Sequence, residues 1–327
     1  MSKNVVFVSN AVIDISIPIA SFPIYSGQHQ STVDQIVITP GGNATTLFCG
    51  ARLGLQMQAL GNLGNDQMGL LWRSSLAEEG VDVSQMIISQ DYPTSVTIVP
   101  TAPDGQHVFL GASKSKNSGP SVFSKEWSEI IMDAGILLID GWSYKAMGPE
   151  VSKVAIDIAN RASIPVFFDP GPEISNTPRI WTETIFSGTN IALLTHEEAE
   201  HLTEVKADPE VMTGIISDMG PDIVILKLGA EGIVARSNAE TVRQAGFDVT
   251  VRDTTGAGDS LLAAVAFSHL HGHSLEDMVT LANGTGAACV QKLGAGMHAP
   301  HKEEILEVLA HAGINFSINT LDFSINQ

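Results

Sequence analysis

The stretch RDTTGAGDSLLAAV, residues 252–265, decides the fold and raises the first question about function. Gly256, Ala257 and Gly258 are small residues that lead directly to a carboxylate, Asp259, and the residues after it are apolar enough for a buried helix. A helix that begins near Gly258 exposes its first backbone N–H groups, and glycines let those groups converge without an intervening Cβ. Together with the helix dipole, they form a site for an anion.

A carboxylate beside such a site requires a chemical explanation, because Asp259 would repel a phosphate. Accepting the proton of an attacking hydroxyl is the natural role for it. The alternative is a tight turn over residues 256–258, followed by an ordinary acid in the first turn of a helix. A Walker A loop would need a Lys–Ser/Thr pair here, and a Rossmann fingerprint would follow the first strand; the sequence has neither.

Composition disfavours several classes of partner. The chain has 327 residues, with 17 basic against 36 acidic side chains and a formal net charge of −19. Nucleic acids and anionic membranes attract basic surfaces, so we expect neither as a partner. The two cysteines, Cys49 and Cys289, form neither a disulfide framework nor a zinc site and are expected in the core. No signal-peptide layout or membrane-spanning apolar run is present, so a cytoplasmic location is the default.

The apolar pattern predicts an α/β fold. The runs ILLID, PVFFD, IALLT and DIVILKLG are typical of buried strands, and helical segments separate most of them, which predicts βαβ units and a mainly parallel sheet. A first strand is expected at 4–9. The last third is expected to be helical, at 257–271, 274–291 and 301–311.

A second group of β-prone segments is less apolar. A strand is expected at 32–39, and β-hairpins at 84–110 around a PDGQ turn. We expect them to form a small β lid, assembled from about 14–40 and 90–112, within a single domain spanning residues 1–327. Exposed strand edges are usually paired or covered, so a homodimer through the lid is expected. The repeat FSINTLDFSIN, 316–326, predicts a β-prone tail.

The segment 253–266 resembles, position by position, the C-terminal signature of the ribokinase-like (PfkB) carbohydrate kinases. GGNATTLFCGARLG followed by LQMQALGNLG resembles the N-terminal signature, although the family usually has Asn where this chain has Thr45 and a small residue where it has Leu47. The resemblance covers about 4–311 and implies a three-layer α/β/α fold. Other segments are also similar to the family: GNLGNDQMG (61–69), KLGAEG (227–232) and ANGTGAA (282–288).

The resemblance implies an ATP-dependent kinase for a sugar or sugar acid. Asp259 would be the general base, and the amides of Gly256, Ala257 and Gly258 would stabilise charge on the transferred phosphoryl group. The implied sugar-binding residues are Asp14, Gly41, Gly42 and Thr45. The implied nucleotide-binding residues are Lys227, Gly229, Gly232, Thr254 and Asn283.

The resemblance also implies metal ions. Mg²⁺ would accompany ATP, and the family's N-x-x-E motif would support it; here the stretch is THEE, so Thr195 replaces Asn while Glu198 is kept as an indirect support. In resembling kinases, a loop beside the anion site binds K⁺. Asp253 and Thr255, with carbonyls near 294–296, are the candidates for this role.

Two other functions stay open: a nucleoside kinase of the same fold, and a sugar or nucleotide sensor without catalysis. Bases stack on aromatic side chains, and the first 45 residues offer only Phe7, Phe22 and Tyr25, which favours a sugar. The intact Asp259 argues against a sensor. Lys114 and Lys116 follow a predicted lid strand and could meet an anionic substituent on the substrate.

Overall fold

The computed structural model describes residues 4–111 and 123–318. Its strands are β1 (Asn4–Val8), β2 (Val12–Pro18), β3 (Val37–Pro40), β4 (Gln56–Leu60), β5 (Asn62–Gly64), β6 (Ile87–Ser89), β7 (Ser95–Thr101), β8 (Leu110–Gly111), β9 (Ile136–Asp140), β10 (Val166–Asp169), β11 (Ile191–Thr195), β12 (Ile223–Lys227), β13 (Ile233–Ser237) and β14 (Thr241–Gln244). Its helices are α1 (Asn43–Arg52), α2 (Gln67–Glu78), α3 (Lys125–Met132), α4 (Ser143–Ala146), α5 (Pro149–Arg161), α6 (Arg179–Ser187), α7 (His196–Thr203), α8 (Pro209–Ser217), α9 (Ala257–Leu270), α10 (Leu275–Cys289) and α11 (Lys302–His311).

The central sheet has the strand order β14-β13-β12-β11-β10-β9-β1-β4. The strands from β12 to β4 are parallel, and β13 and β14 join antiparallel at one end. Successive side chains of β1 enter different cores: Val5 and Phe7 pack with α1, α9 and α10, whereas Val6 and Val8 pack with α3, α5 and α6. Burial on both faces explains why these strands read as continuous apolar runs. The fold is the predicted three-layer α/β/α arrangement.

A smaller sheet of order β3-β2-β7-β8 forms the predicted lid. Its strands come from two separate parts of the chain, β2 and β3 from 12–40 and β7 and β8 from 95–111. The strand predicted at 32–39 begins only at Val37 and ends at Pro40. The hairpin predicted to include 85–89 is wrong: β6 pairs in parallel with β5, because helix α2 lies between them and returns the chain in the same direction.

The cysteines and the C-terminal helices lie where the sequence predicts them, whereas most of the tail is outside the described residues. Both cysteines are buried and unpaired, and the three C-terminal helices lie within two residues of their predicted ends. Ile318 is buried against the core, whereas most of the predicted tail lies outside the described residues, as do Lys114 and Lys116. Among the described helices, none is long and apolar enough to cross a bilayer.

Candidate active site

The carboxyl ends of the parallel strands share one edge of the sheet, and charged side chains gather there. Asp140 ends β9 and lies in register with Asp169 at the end of β10, and Lys227 ends β12. The first turn of α9 reaches the same edge. A Cβ added at Gly258 would lie 3.2 Å from Lys227 Nζ and 3.9 Å from Asp169 Oδ2. In open parallel sheets, this edge is where ligands bind.

The start of α9 has the geometry of an anion site. Gly256 caps the helix with φ +79°, a conformation that favours glycine. The amide of Ala257 donates a 3.3 Å hydrogen bond to Thr254 O, whereas the amides of Gly256 and Gly258 have no acceptor among the described residues. Two of the three predicted amides are therefore available to a ligand, and the third is held by a long bond.

Asp259 occupies the first turn of α9 and is half-buried. Burial, and after it the negative charge of Asp169, raise the pKa of Asp259 to about 8, while Lys227 acts in the opposite direction. Within 4–111 and 123–318, no hydrogen bond reaches its carboxylate; its backbone carbonyl accepts one from Thr46 Oγ1 at 2.9 Å. Asp259 therefore has a high proton affinity for a carboxylate, as a general base requires.

Lys227 and Asp169 form an ion pair beside Asp259. Lys227 Nζ lies 2.6 Å from Asp169 Oδ2, and the two side chains are 13% and 14% exposed. Asp169 Oδ1 accepts a second hydrogen bond from Gly171 N at 3.2 Å. Burial opposes the positive charge of Lys227, but Asp169 and Glu198 outweigh it and raise the pKa of Lys227 above its usual range.

Two other residues predicted at the nucleotide side, Gly232 and Asn283, contact the segment 244–246. A Cβ on Gly232, where φ is +95°, would overlap Gln244 O, so only glycine fits this contact. Asn283 Nδ2 donates to Ala245 O at 2.8 Å, which ties α10 to the same segment. Gly229 has φ +59° and open space around it, and Thr254 is exposed.

The structure brings Asp14, Gly41 and Gly42 together on the lid side. A Cβ on Gly41 would overlap the Asp14 carboxyl group, so this glycine allows a close approach. Burial raises the pKa of Asp14 to about 6, and a hydrogen bond from the Gly42 amide opposes the shift. This buried carboxylate lies next to the N-terminus of α1.

Thr45 connects the lid side to the loop predicted to bind K⁺. It is fully buried, and its hydroxyl accepts a hydrogen bond from Gly296 N at 2.9 Å. Asp253 holds the other end of that loop: Oδ2 accepts from Gly294 N at 2.8 Å, and Oδ1 accepts from Thr255 N at 2.9 Å and Thr255 Oγ1 at 2.7 Å. Because the Asp253 carboxylate already accepts three hydrogen bonds, backbone carbonyls would have to supply most ligands of a bound cation.

Thr195 and Glu198 form a capping box at the start of α7. Thr195 N donates to Glu198 Oε2 at 2.8 Å, and Glu198 N donates to Thr195 Oγ1 at 3.2 Å. The described residues supply no partner for Glu198 Oε1. They also contain no group of three or more His, Cys, Asp or Glu side chains placed to hold a metal. A Mg²⁺ ion brought by a nucleotide fits here only if phosphates and water provide most of its ligands, as is usual for Mg²⁺.

Sequence reasoning missed three residues of this site. Asp140 and Asp169 each end an apolar run, which is a usable signal. Asn43 follows the two glycines at the start of α1; it is 3% exposed, and neither atom of its amide has a hydrogen-bond partner in the described part of the chain. Buried polar groups are normally paired, so Asn43 favours a polar ligand at this position.

Comparisons with known proteins agree with this geometry. Residues 2–302 match the model of the pfkB family carbohydrate kinases. An Arabidopsis thaliana ribokinase is 27% identical over 93% of this chain and 80% of its own length. A Bacillus subtilis 2-dehydro-3-deoxygluconokinase is 28% identical over 88% of this chain and 90% of its own.

Solved structures give the same result. The Arabidopsis thaliana ribokinase complexed with ribose and ATP superposes with a TM-score of 0.82 at 26% identity, covering 97% of this chain and all of that one. A Methanocaldococcus jannaschii nucleoside kinase, at 20% identity over 94% of this chain and 98% of its own, shares the fold with a TM-score of 0.75. The chain therefore belongs to the PfkB family of carbohydrate kinases, phosphotransferases that act on an alcohol group.

Proposed function

We propose that this sugar kinase transfers the γ-phosphoryl group of ATP to a hydroxyl of a sugar or sugar acid, with Asp259 as the general base. One observation carries the proposal: a half-buried carboxylate with a raised pKa lies in the first turn of a helix whose leading amides include unpaired donors. Phosphoryl transfer depends mainly on alignment and electrostatics, and this arrangement supplies both.

In this proposal, Asp259 accepts the proton of the acceptor hydroxyl as that oxygen attacks the phosphorus. The amides of Gly256 and Gly258 stabilise charge on the transferred group, and Ala257 joins them if its bond to Thr254 O opens. Mg²⁺ brought with ATP would neutralise charge on the phosphates, and Glu198 would orient its water ligands. An E. coli protein of the same fold, 22% identical, was solved with ATP and Mg²⁺.

Asp14 and Asn43 are proposed to bind the acceptor. An ionised carboxylate accepts hydrogen bonds from sugar hydroxyls, and the unpaired Asn43 amide can both donate and accept. Gly41 and Gly42 leave room for this carboxylate. The relatives include kinases named for a sugar and for a sugar acid, which supports keeping both classes.

We also propose that residues 1–327 form one domain and associate as a homodimer through the lid. An apolar row crosses the four strands of the lid, where Ile15 of β2 pairs with Ile38 of β3 and Ile98 of β7, and Ile98 pairs with Leu110 of β8. Three members of this row are 38–55% exposed: Ile38, Ile98 and Leu110. A second copy presents the same apolar row, so a two-fold contact would bury both. Light scattering at micromolar concentration should give a dimer, and Ile98→Asp should give a monomer. A wild-type monomer would exclude this contact.

The proposed activity is tested by ADP release with ATP and Mg²⁺ over a panel of sugars, sugar acids and nucleosides. We expect turnover with at least one sugar or sugar acid, and background ADP release from Asp259→Asn. Turnover restricted to nucleosides would assign the alternative acceptor class. No turnover with any member, from protein shown to bind ATP, would count against a kinase.

A further inference from the structure

The ammonium group of Lys227 has unused hydrogen-bonding capacity at the mouth of the anion site. An ammonium has three N–H donors, and Asp169 Oδ2 accepts one of them at 2.6 Å. Within the described residues, no acceptor is found for the other two. The side chain is only 13% exposed, so water alone satisfies them poorly. A mostly buried cation with spare donors favours an anionic ligand beside it.

The position of this ammonium is fixed by its neighbours. A Cβ on Gly258 would lie 3.2 Å from Nζ, so the ammonium lies against the first turn of α9, beside an unpaired amide. Asp169 is itself held at both oxygens, by Lys227 at Oδ2 and by Gly171 N at Oδ1. Because a lysine side chain is flexible, a fixed carboxylate is needed to keep its charge in one place.

The surrounding charges also favour a catalytic role. The charges that act most strongly on Asp259 are those of Asp14, Asp140, Asp169 and Lys227, and Glu198 also acts on Lys227. Lys227 is the only cation among these groups. A phosphoryl group arriving here meets mainly negative charge, so Lys227 supplies the compensating positive charge.

We infer that Lys227 contacts the transferred phosphoryl group and that Asp169 is the positioning residue that holds it there. The inference rests on the proposed function. During transfer, a bond forms between the acceptor oxygen and the γ-phosphorus, and the bond from that phosphorus to the β–γ bridging oxygen breaks. ADP leaves with the bonding electron pair, and the acceptor proton passes to Asp259. Lys227 stays protonated and donates its two spare N–H groups to phosphoryl oxygens.

The competing explanation is an ion pair that only joins the ends of β10 and β12. The two explanations differ in the double variant. If the pair is structural, Lys227→Met and Asp169→Asn each lower Tm, the double variant recovers Tm, and kcat per folded molecule stays close to wild type. If Lys227 acts on the phosphoryl group, the double variant recovers Tm but not kcat.

We therefore expect kcat of Lys227→Met to fall by about 10²–10³, the usual effect of removing one donor to a transition-state charge. The kcat of Asp169→Asn should fall by about tenfold, because the amide oxygen of Asn still accepts a hydrogen bond from Lys227 but carries no charge. Above about pH 8, where Asp259 is ionised with or without the charge of Asp169, adding Asp169→Asn to Lys227→Met should cause no further loss, since Asp169 then acts through Lys227. The KM of the acceptor should change little.

A binding measurement tests the contact without turnover. Titration calorimetry with Mg²⁺ and either ATP or ADP, in the absence of acceptor, should show that Lys227→Met weakens ATP by about tenfold or more and ADP much less, because only ATP carries the γ-phosphoryl group. The matched control is the partly buried ion pair Arg52–Glu79, at 2.8 Å, altered as Arg52→Met and Glu79→Gln. These controls should lower Tm without changing the ATP-to-ADP ratio.

Two results would overturn the inference: a Lys227→Met variant that keeps kcat within about threefold of wild type, or one that weakens ATP and ADP equally. If the wild type phosphorylates no acceptor, the proposed function fails by that result. The ATP-to-ADP ratio then still decides whether Lys227 contacts the γ-phosphoryl group.

Discussion

Replacing Asp259 by Asn is expected to lower activity and raise stability together. The side chain keeps its size but no longer accepts a proton, so kcat should fall by about 10²–10⁴. Burial raises the pKa of Asp259 from 3.8 to about 8 in the folded protein. As pH rises, Asp259 therefore ionises first in the unfolded chain. Between pH 3.8 and about 8 this ionisation favours the unfolded state and lowers the free energy of unfolding.

The size of the stability gain follows from this shift. Each pH unit above 3.8 and below about 8 costs the folded protein at most about 1.4 kcal/mol, which reaches about 4 kcal/mol at pH 7. Asp259 keeps some contact with solvent, so we expect a smaller gain. At pH 7, Asp259→Asn should be more stable than wild type by about 1–2 kcal/mol, or roughly 2–6 °C in Tm. Near pH 4 the folded carboxyl group is protonated and the unfolded one is only about half ionised, so the difference from wild type should fall below about 1 kcal/mol.

The assay measures kcat and Tm on one preparation at pH 4, 7 and 8, with stability scans alone at pH 4. Asp66→Asn is the matched control, because Asp66 caps α2 and accepts hydrogen bonds from Gly69 N at 2.7 Å and Thr94 N at 2.7 Å. It should lose about 1 kcal/mol and keep its kcat per folded molecule. A stable Asp259→Asn variant that keeps more than about a tenth of kcat, or one whose Tm falls at pH 7, would refute the reasoning.

Three further predictions concern the same site. Gly41→Ala should raise the acceptor KM by at least about tenfold and leave the ATP KM unchanged in steady-state titrations, because the new methyl group overlaps the Asp14 carboxyl group; equal effects on both KM values would argue against it. The acceptor kcat/KM should rise with pH to a plateau above about 8, with a second bend near 6, as Asp259 and Asp14 lose their protons; a flat profile from pH 5 to 9 would contradict both assignments. Turnover should be faster in K⁺ than in a bulky organic cation at matched ionic strength, and equal rates would exclude activation through the Asp253 loop.

The sequence predicts the parts of this fold that depend on local pattern. Four apolar runs separated by helical segments predict the parallel sheet, because strands covered on both faces need apolar residues at every position. The hairpin expected at 85–89 is wrong because the composition of a strand predicts that it forms but does not specify its partner strand. Only the position of α2 between β5 and β6 makes that pairing parallel.

The site shows the same division. The glycine–aspartate signature places Asp259 at a helix start, since its conformational demands are local. Asp169 and Lys227 are separated by 58 positions, and only the register of the parallel strands brings their side chains to 2.6 Å. The bond between Thr45 and Gly296 spans 251 positions. Such contacts depend on the assembled sheet, which no short motif encodes.

The most direct test of the account follows γ-labelled ATP into the acceptor with wild type and Asp259→Asn, at pH 8 and with matched nucleotide occupancy. We expect label to appear on an acceptor hydroxyl in step with ADP. The variant should bind ATP at least as tightly as wild type but transfer label at least about a hundredfold more slowly. Label released only as inorganic phosphate by the wild type, or transferred by the variant at more than about a tenth of the wild-type rate, would contradict the account.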